Sequence, residues 1–236
     1  MSMDTGQLGY FREYFGKTRV SCDIDGVILM SAIAVLNRLN SDLESKHTIK
    51  DITHWEAVRD IAFKEFRKRG LSQEEAQKQA LEYDDWIWSD NEVMGSSPVA
   101  DGAEAFLRRL YTEGIDYCFI TSRIPALIGT TVSSFRKYFP WEDPSKIIMN
   151  TDVNLPGKEF KWRTIIEKGI GIHIDDSQDH AQLVVENTPA KVILLSYPSL
   201  QEQNYSHPRL FRLLHDRRQA NLRDLHKAIL SKGLNF

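Results

Sequence analysis

The sequence predicts an α/β protein built on a parallel sheet, with helices on both faces and a small helical domain inserted after the first strand. Three observations carry this reading. Short apolar runs of β-like character alternate with stretches of helical periodicity. The helical stretches are punctuated by glycine, asparagine or proline where helices stop. One interval between strands is far too long for a single crossover.

The β-like runs are RVSC (19–22), DYCFI (116–120), KIIMN (146–150), GIHI (171–174) and KVILLS (191–196). Between them, DGAEAFLRRLYTEG offers Asp101 as an N-cap with Glu104 three residues on, and Gly114 where a left-handed C-cap belongs. SFRKYF closes at Pro140, KWRTIIEKG at Gly169, and SQDHAQLVVEN runs from Ser177, its expected N-cap, to Asn187. Strand, helix and strand in alternation imply a Rossmann-like core with connections on both faces of the sheet.

A crossover needs about 30 residues, yet Asp25 and Thr121 lie 96 positions apart. The excess, residues 31–95, reads as a helical cap. THWEAVRDIAFKEFRKRG and SQEEAQKQALEYDDWIWSD offer Thr53 with Glu56 and Ser72 with Glu75 as capping boxes, and GSSPVADG (95–102) is the expected return linker. The core is then residues 1–30 and 96–236. Its C-terminal segment, 206–236, reads as helical and basic; packing of a Leu/Ile face explains it better than a nucleic-acid patch.

The 236 residues carry a net charge of −3 with 42% hydrophobic and 27% charged residues, an ordinary globular balance that argues against a tight polyanion binder. No apolar run spans a bilayer and MSMDTGQLGYFREYFGKTR lacks the apolar core of a secretory signal, so a cytoplasmic protein with no membrane partner is expected. Cys22 and Cys118 both fall in β-like runs and are expected to be buried free thiols.

Ligands of parallel α/β sheets bind beyond the carboxyl ends of the strands. Asp23 and Asp25 follow the first run, Thr121, Ser122 and Arg123 the second, and Asp175, Asp176 and Ser177 the fourth, while Lys161 opens the helix leading into that fourth run. Strand-end aspartates are common as turn and N-cap residues, which explains each one but not their convergence on a single edge. Clustered carboxylates repel and raise one another's pKa. A hard divalent cation holds them ionised, and Mg²⁺, bound by one or two carboxylates plus substrate phosphate oxygens, is the natural choice. A hydroxyl at Thr121 and an ammonium at Lys161 complete a site for a phosphoryl group.

These segments, DIDGV, FITSR, Lys161 and IHIDDS, resemble the four ordered motifs of the haloacid dehalogenase superfamily of phosphohydrolases, over about residues 19 to 200. The resemblance implies a Mg²⁺-dependent phosphomonoester hydrolase. Asp23 would be the nucleophile that forms an aspartyl-phosphate, and Asp25 the acid that protonates the leaving alcohol and then deprotonates water. Asp23, the backbone carbonyl of Asp25 and either Asp175 or Asp176 would hold the metal. Thr121 would bind phosphate, and Lys161, or Lys158 in the same GKEFKWR stretch, would neutralise the transferring group. Members that displace halide lack the second aspartate, so Asp25 favours phosphate chemistry.

The insertion resembles the type 1 cap of this superfamily and, with FITSR and the adjacent acids, is similar to the 5'(3')-deoxyribonucleotidase branch. That likeness points to a small phosphorylated metabolite, first of all a nucleotide. A sugar phosphate, a phospho-amino acid or a polynucleotide end are the alternative substrates. A non-catalytic phospho-acceptor is a different class, and the lid-like insertion argues against it. In the cap, Trp55, Phe63 and Phe66 sit at core spacings. Trp86 and Trp88, in YDDWIWSD, are the candidates for substrate contact, with Ser122 and Arg123 beside the phosphate site; Arg123 fits an ion pair equally well. His173, inside a β-like run, is expected to be a packed core residue.

Overall fold

The computed structural model describes residues 9–52, 56–152, 154–196, 205–215 and 219–231. Six strands, β1 (Val20–Cys22), β2 (Tyr117–Thr121), β3 (Ile147–Met149), β4 (Ile172–Asp175), β5 (Lys191–Leu195) and β6 (Leu210–Leu213), form one sheet in the order β3-β2-β1-β4-β5-β6. Every pairing is parallel. The chain steps outward from β1 in both directions, so the order reverses beside β1, and a crevice opens there at the strand ends.

Each strand of the inner sheet is buried on both faces, as parallel strands covered by helices are. Along β2, Tyr117 and Phe119 join one apolar layer with Phe11, Phe106 and Phe135, while Cys118 and Ile120 join the other with Ile165, Val184 and Val192. This period of two puts Cys22 and Cys118 on opposite layers, both buried and free. Burial pushes both thiols up, Cys118 to about 11.

The helices are α1 (Tyr10–Phe15), α2 (Ser31–Leu43), α3 (Ala57–Lys68), α4 (Gln73–Ile87), α5 (Asn91–Gly95), α6 (Ala103–Thr112), α7 (Ile128–Tyr138), α8 (Gly157–Glu167), α9 (Gln178–Asn187) and α10 (Leu222–Leu230). The Ser72–Glu75 capping box opens α4, and Ser177 caps α9 by accepting from the His180 N–H. Helix α3 starts at Ala57 after Glu56 with no side-chain cap; Thr53 and Trp55 lie outside the described residues.

Helices α2 to α5 gather around their own apolar cluster, which continues into Leu127 and Met149 at the ends of β2 and β3. Two chain segments connect them to the sheet. Their backbones pair, Met30 N–H to Pro98 O at 2.8 Å and Ala100 N–H to Ile28 O at 2.9 Å, with an antiparallel bridge between Leu29 and Val99. The insertion therefore stands on a hydrogen-bonded ribbon.

Two expectations are corrected. The segment 206–236 is not helical throughout: Leu210–Leu213 is β6, pairing with β5, and among the described residues of the segment only Leu222–Leu230 is helix. The leucine spacing of RLFRLL suits a helix or a strand, and the unpaired edge of β5 decides, because its N–H and C=O groups need partners. Asp101 does not cap α6. Gly102 takes the N-cap position at φ 82°, and the Asp101 carboxylate instead faces Arg223 at 2.5 Å.

A Cβ at Gly102 would lie 2.4 Å from the Arg223 backbone nitrogen. Left-handed φ and contact with α10 thus both demand glycine. Gly102→Ala is expected to cost about 1–3 kcal/mol of stability, read as a lower urea midpoint with an unchanged m-value.

Candidate active site at the strand ends

The register of β1 sets the site. Cys22 aligns with Phe119 of β2 and Ile174 of β4, so the next residue, Asp23, emerges level with Asp175. Its N–H donates to Ile174 O at 2.8 Å. The chain then turns back at once, with Ile28 and Leu29 N–H both donating to Ile24 O. Ile24, Val27, Ile28 and Leu29 are fully buried and anchor this turn. Gly26 occupies φ 72°, and a Cβ there would fall 1.9 Å from an Asp176 carboxylate oxygen. Glycine lets the Asp176 carboxylate lie directly against the turn.

Lys161, one turn into α8, is 1% exposed. Its Nζ donates to Asp23 Oδ2 at 2.7 Å, Asp175 Oδ2 at 2.8 Å and His180 Nδ1 at 2.9 Å. An ammonium has three donors and no acceptor, so all three N–H groups are committed and the facing His180 Nδ1 carries no proton. The expected start of this helix at Lys161 is corrected to Gly157, and Lys158 in its first turn is exposed. Lys161 is the lysine of the site.

Asp175 is saturated. Oδ1 accepts the Ser177 N–H at 2.9 Å, and Oδ2 accepts from Lys161 and from His173 Nε2 at 2.9 Å. His173 in turn meets Ser21 Oγ through Nδ1 at 2.8 Å. The histidine is buried, as expected, but it orients Asp175 as well as packing. Burial holds its imidazole below the usual range, hence neutral.

On the other side of Asp23 stands a second ion pair. Arg123 lies over Asp25 with Nε 3.0 Å from Oδ2 and Nη2 2.8 Å from Oδ1. Ser31 at the start of α2 donates to Oδ1 of the same carboxylate. Thr121 is fully buried, with its hydroxyl 3.5 Å from Asp25 Oδ2 and accepting the Arg123 N–H at 3.2 Å. Ser122 sits against Gly157, and its buried Oγ has no hydrogen-bond partner among the described residues.

The electrostatics separate the four acids into two pairs. Burial opposes ionisation of Asp175 and Asp25, but Lys161 and His173 hold Asp175 well below the usual range, and Arg123 lowers Asp25. Burial pushes Asp23 up to about 7 against the pull of Lys161, with Asp175 and Asp25 adding to the rise. Burial, Asp175 and Asp23 push Asp176 well above the usual range. Lys161 itself is raised, because the two carboxylates outweigh its burial. Asp23 and Asp176 are the acids short of positive charge.

Acids in this state are candidates for holding a cation. Asp23, Asp175 and His180 bring three ligand-type atoms within 4.8 Å of one another, but those groups already surround the Lys161 ammonium. Asp176, whose charge Asp23 and Asp175 disfavour, is a further carboxylate of the kind a hard divalent ion takes. Gln219 Nε2 braces this side, donating to Gly26 O at 2.9 Å and lying 3.4 Å from Asp176.

No family model matches the chain, and no curated protein does. Solved structures do. A HAD-superfamily hydrolase of subfamily IA, variant 1, from Geobacter sulfurreducens PCA superposes with a TM-score of 0.54 at 20% identity, over 85% of this chain and 93% of its own. The chain has the fold of the haloacid dehalogenase-like hydrolases. A haloacid dehalogenase-like hydrolase from Bacteroides fragilis gives 0.51 at 17% identity, covering 82% and 96%. The HAD-hydrolase YfnB from Bacillus subtilis, whose structure is bound to magnesium, gives 0.52 at 15%, covering 90% and 98%.

On this haloacid dehalogenase-like fold the structure brings Asp23, Asp25, Thr121, Arg123, Lys161, Asp175 and Asp176 into one connected cluster, with Ser122 beside α8. It ties the two tryptophans to the insertion's own residues. Trp88 packs against the insertion's cluster with Nε1 3.2 Å from Asp84, and Trp86, 36% exposed, stands beside Tyr83 and under Arg38. Sequence reasoning missed Ser31, His180 and Gln219. For His173 a signal existed: two residues before Asp175 on one strand, it shares that residue's face. Among the described residues no helix is long and apolar enough to cross a membrane.

Lys161→Met removes the shared cation and strands two buried carboxylates. A loss of about 3–5 kcal/mol is expected, measured by urea unfolding at pH 7.

Proposed function

We propose that the protein is a divalent-cation-dependent phosphomonoester hydrolase that works through an aspartyl-phosphate at Asp23. The observation that carries the reading is the charge balance at the strand ends. Four carboxylates, Asp23, Asp25, Asp175 and Asp176, face two cations, Lys161 and Arg123, and both cations are used up by protein acids. A phosphate dianion needs positive charge that the side chains do not supply. Mg²⁺ when bound would supply it as a Lewis acid, held by Asp23, Asp176 and the Asp25 carbonyl.

The chain's own groups have distinct parts. Asp23 has Oδ1 held by the Ile24 N–H at 2.8 Å and Oδ2 by Lys161, so its carboxylate is fixed before substrate arrives. It attacks phosphorus, the bond from phosphorus to the ester oxygen breaks, and Asp25, in the fraction that carries a proton against the pull of Arg123, delivers that proton to the departing alcohol. Water then attacks the aspartyl-phosphate and leaves its proton on Asp25, which restores both acids. Thr121 and the partnerless hydroxyl of Ser122 are the donors for the phosphate oxygens. Lys161, with all three N–H groups engaged, holds Asp23 and Asp175 in place; this replaces the role of contacting the transferring group that the family resemblance implies.

Small phosphorylated metabolites are the substrate class, with nucleotides first among them. The insertion, whose apolar cluster reaches Leu127 and Met149, is read as the cap, and Trp86, 36% exposed on it, is the candidate for stacking on a base. A panel of nucleotides, sugar phosphates and phospho-amino acids compared by kcat/KM decides among them.

EDTA and Asp23→Asn are each expected to abolish phosphate release from an aryl phosphate, with the variant still folded by circular dichroism. Turnover surviving both would sink the proposal. Mg²⁺ is also expected to raise the Tm of the wild type by mass action. Asp176→Asn should remove that rise, because its carboxylate is the one left without a cation.

A further inference from the structure

Arg123 follows the second motif directly and is a natural candidate for touching substrate, yet its guanidinium is consumed by the protein. The residue is 5% exposed. Nε and Nη2 hold Asp25, Nη2 also reaches Ser31 Oγ at 3.1 Å, and Nη1 reaches Thr131 Oγ1 at 3.0 Å. All three nitrogens of that fork are thus engaged by protein groups.

The two oxygens of Asp25 are treated unequally. Oδ1 receives Nη2 at 2.8 Å, Nε at 3.2 Å and the Ser31 hydroxyl. An oxygen with two lone pairs has no capacity beyond that. Oδ2 receives Nε at 3.0 Å and only a distant Thr121 hydroxyl at 3.5 Å. Oδ2 is therefore the less engaged oxygen of a carboxylate whose side chain is 30% exposed, and the phosphate reading puts the ester beside it. Ser31 is fully buried, begins α2, and has Ser97 Oγ, on the returning segment, at 3.3 Å. The clamp on Oδ1 is thus built from β2's end and from both segments that carry the insertion.

We propose that Arg123 and Ser31 are positioning residues that lock Asp25 so that Oδ2 alone moves the proton. The proposal rests on the phosphatase reading above. In the first half-reaction the proton leaves Oδ2 for the ester oxygen as its bond to phosphorus breaks. In the second, a proton of the attacking water returns to Oδ2 as its oxygen bonds phosphorus. A bidentate fork fixes both the distance and the plane of the carboxylate, which a lysine ammonium cannot do.

The test is the dependence on leaving group. Wild type, Arg123→Lys, Arg123→Ala and Ser31→Ala are assayed with Mg²⁺ on glycerol phosphate and on aryl phosphates of increasingly acidic phenols. An alkoxide needs the proton and an acidic phenolate hardly does. For the arginine variants kcat on the alkyl ester should fall about 10²-fold or more, the scale of general acid catalysis. On the most acidic phenol ester the fall should be about threefold or less, with KM nearly constant. Free guanidinium should restore part of the alkyl ester rate to Arg123→Ala but not to the wild type. Ser31→Ala should show the same selectivity, more weakly, and it decides the matter if the arginine variants do not fold. Equal losses across the series, no loss, or a raised KM at constant kcat would overturn the proposal. A wild type inert towards every ester would overturn the phosphatase reading and this inference with it; an active wild type with indifferent variants overturns the inference alone.

Discussion

The Lys161 ammonium shared among Asp23, Asp175 and His180 is the contact on which the rest of the site depends. Each group comes from a different element: α8, the end of β1, the end of β4 and the first turn of α9. Burying one such charge alone is costly, and burying three without good geometry is no better. The arrangement survives because the parallel register puts Asp23 and Asp175 side by side, and because His173, Ser21 and the Ser177 N–H saturate what the ammonium leaves over. The polar cluster is therefore tied to sheet register: a strand slip of one residue would turn every member to the wrong face.

Four aspartates of one chemical type acquire different characters purely from which cation each one meets. Asp25 has Arg123 to itself, Asp23 and Asp175 share Lys161 with His173 supporting Asp175 alone, and Asp176 meets no cation among the described residues. The second ion pair is joined to the insertion, since Ser31 and Ser97 sit on its two connecting segments. The acid closest to the ester oxygen in the proposed chemistry is thus the one in contact with the base of the insertion.

Much of this was legible beforehand because it follows from short-range rules. Strand period, helix stops and the excess length between β1 and β2 predict a parallel sheet with a helical insertion, and acids that follow strands must gather at one edge. What was illegible depends on three-dimensional register. Lys158 and Lys161 are three residues apart and nearly share a helix face, so only the docking of α8 against β2 and α9 shows which is buried. The stretch RLFRLL satisfies either period, and the free edge of β5 makes it a strand. His180 reads as one more residue behind an N-cap, and nothing in a linear chain connects Arg123 with Ser31 across 92 positions. Asp101 looked like a cap because its spacing to Glu104 is right, but α10 claims its carboxylate.

Gln219 carries a consequence for how the molecule comes into being. Its amide donates to the carbonyl of Gly26, a contact spanning 193 positions, and Ala220 N–H donates to Ser196 O beside it. Chains emerge N-terminus first at about 5–20 residues per second, so Asp23 and Asp25 are made well before the residue that braces their turn, 193 positions later. A nascent chain that has already paired β1 with β2 and β4 still has an unbraced acidic loop with two undercompensated charges. Completion of the polar edge is thereby coupled to late, long-range contacts, which form slowly. The turn at Gly26 becomes a marker of assembly of this fold, braced only once Gln219, between β6 and α10, has reached it.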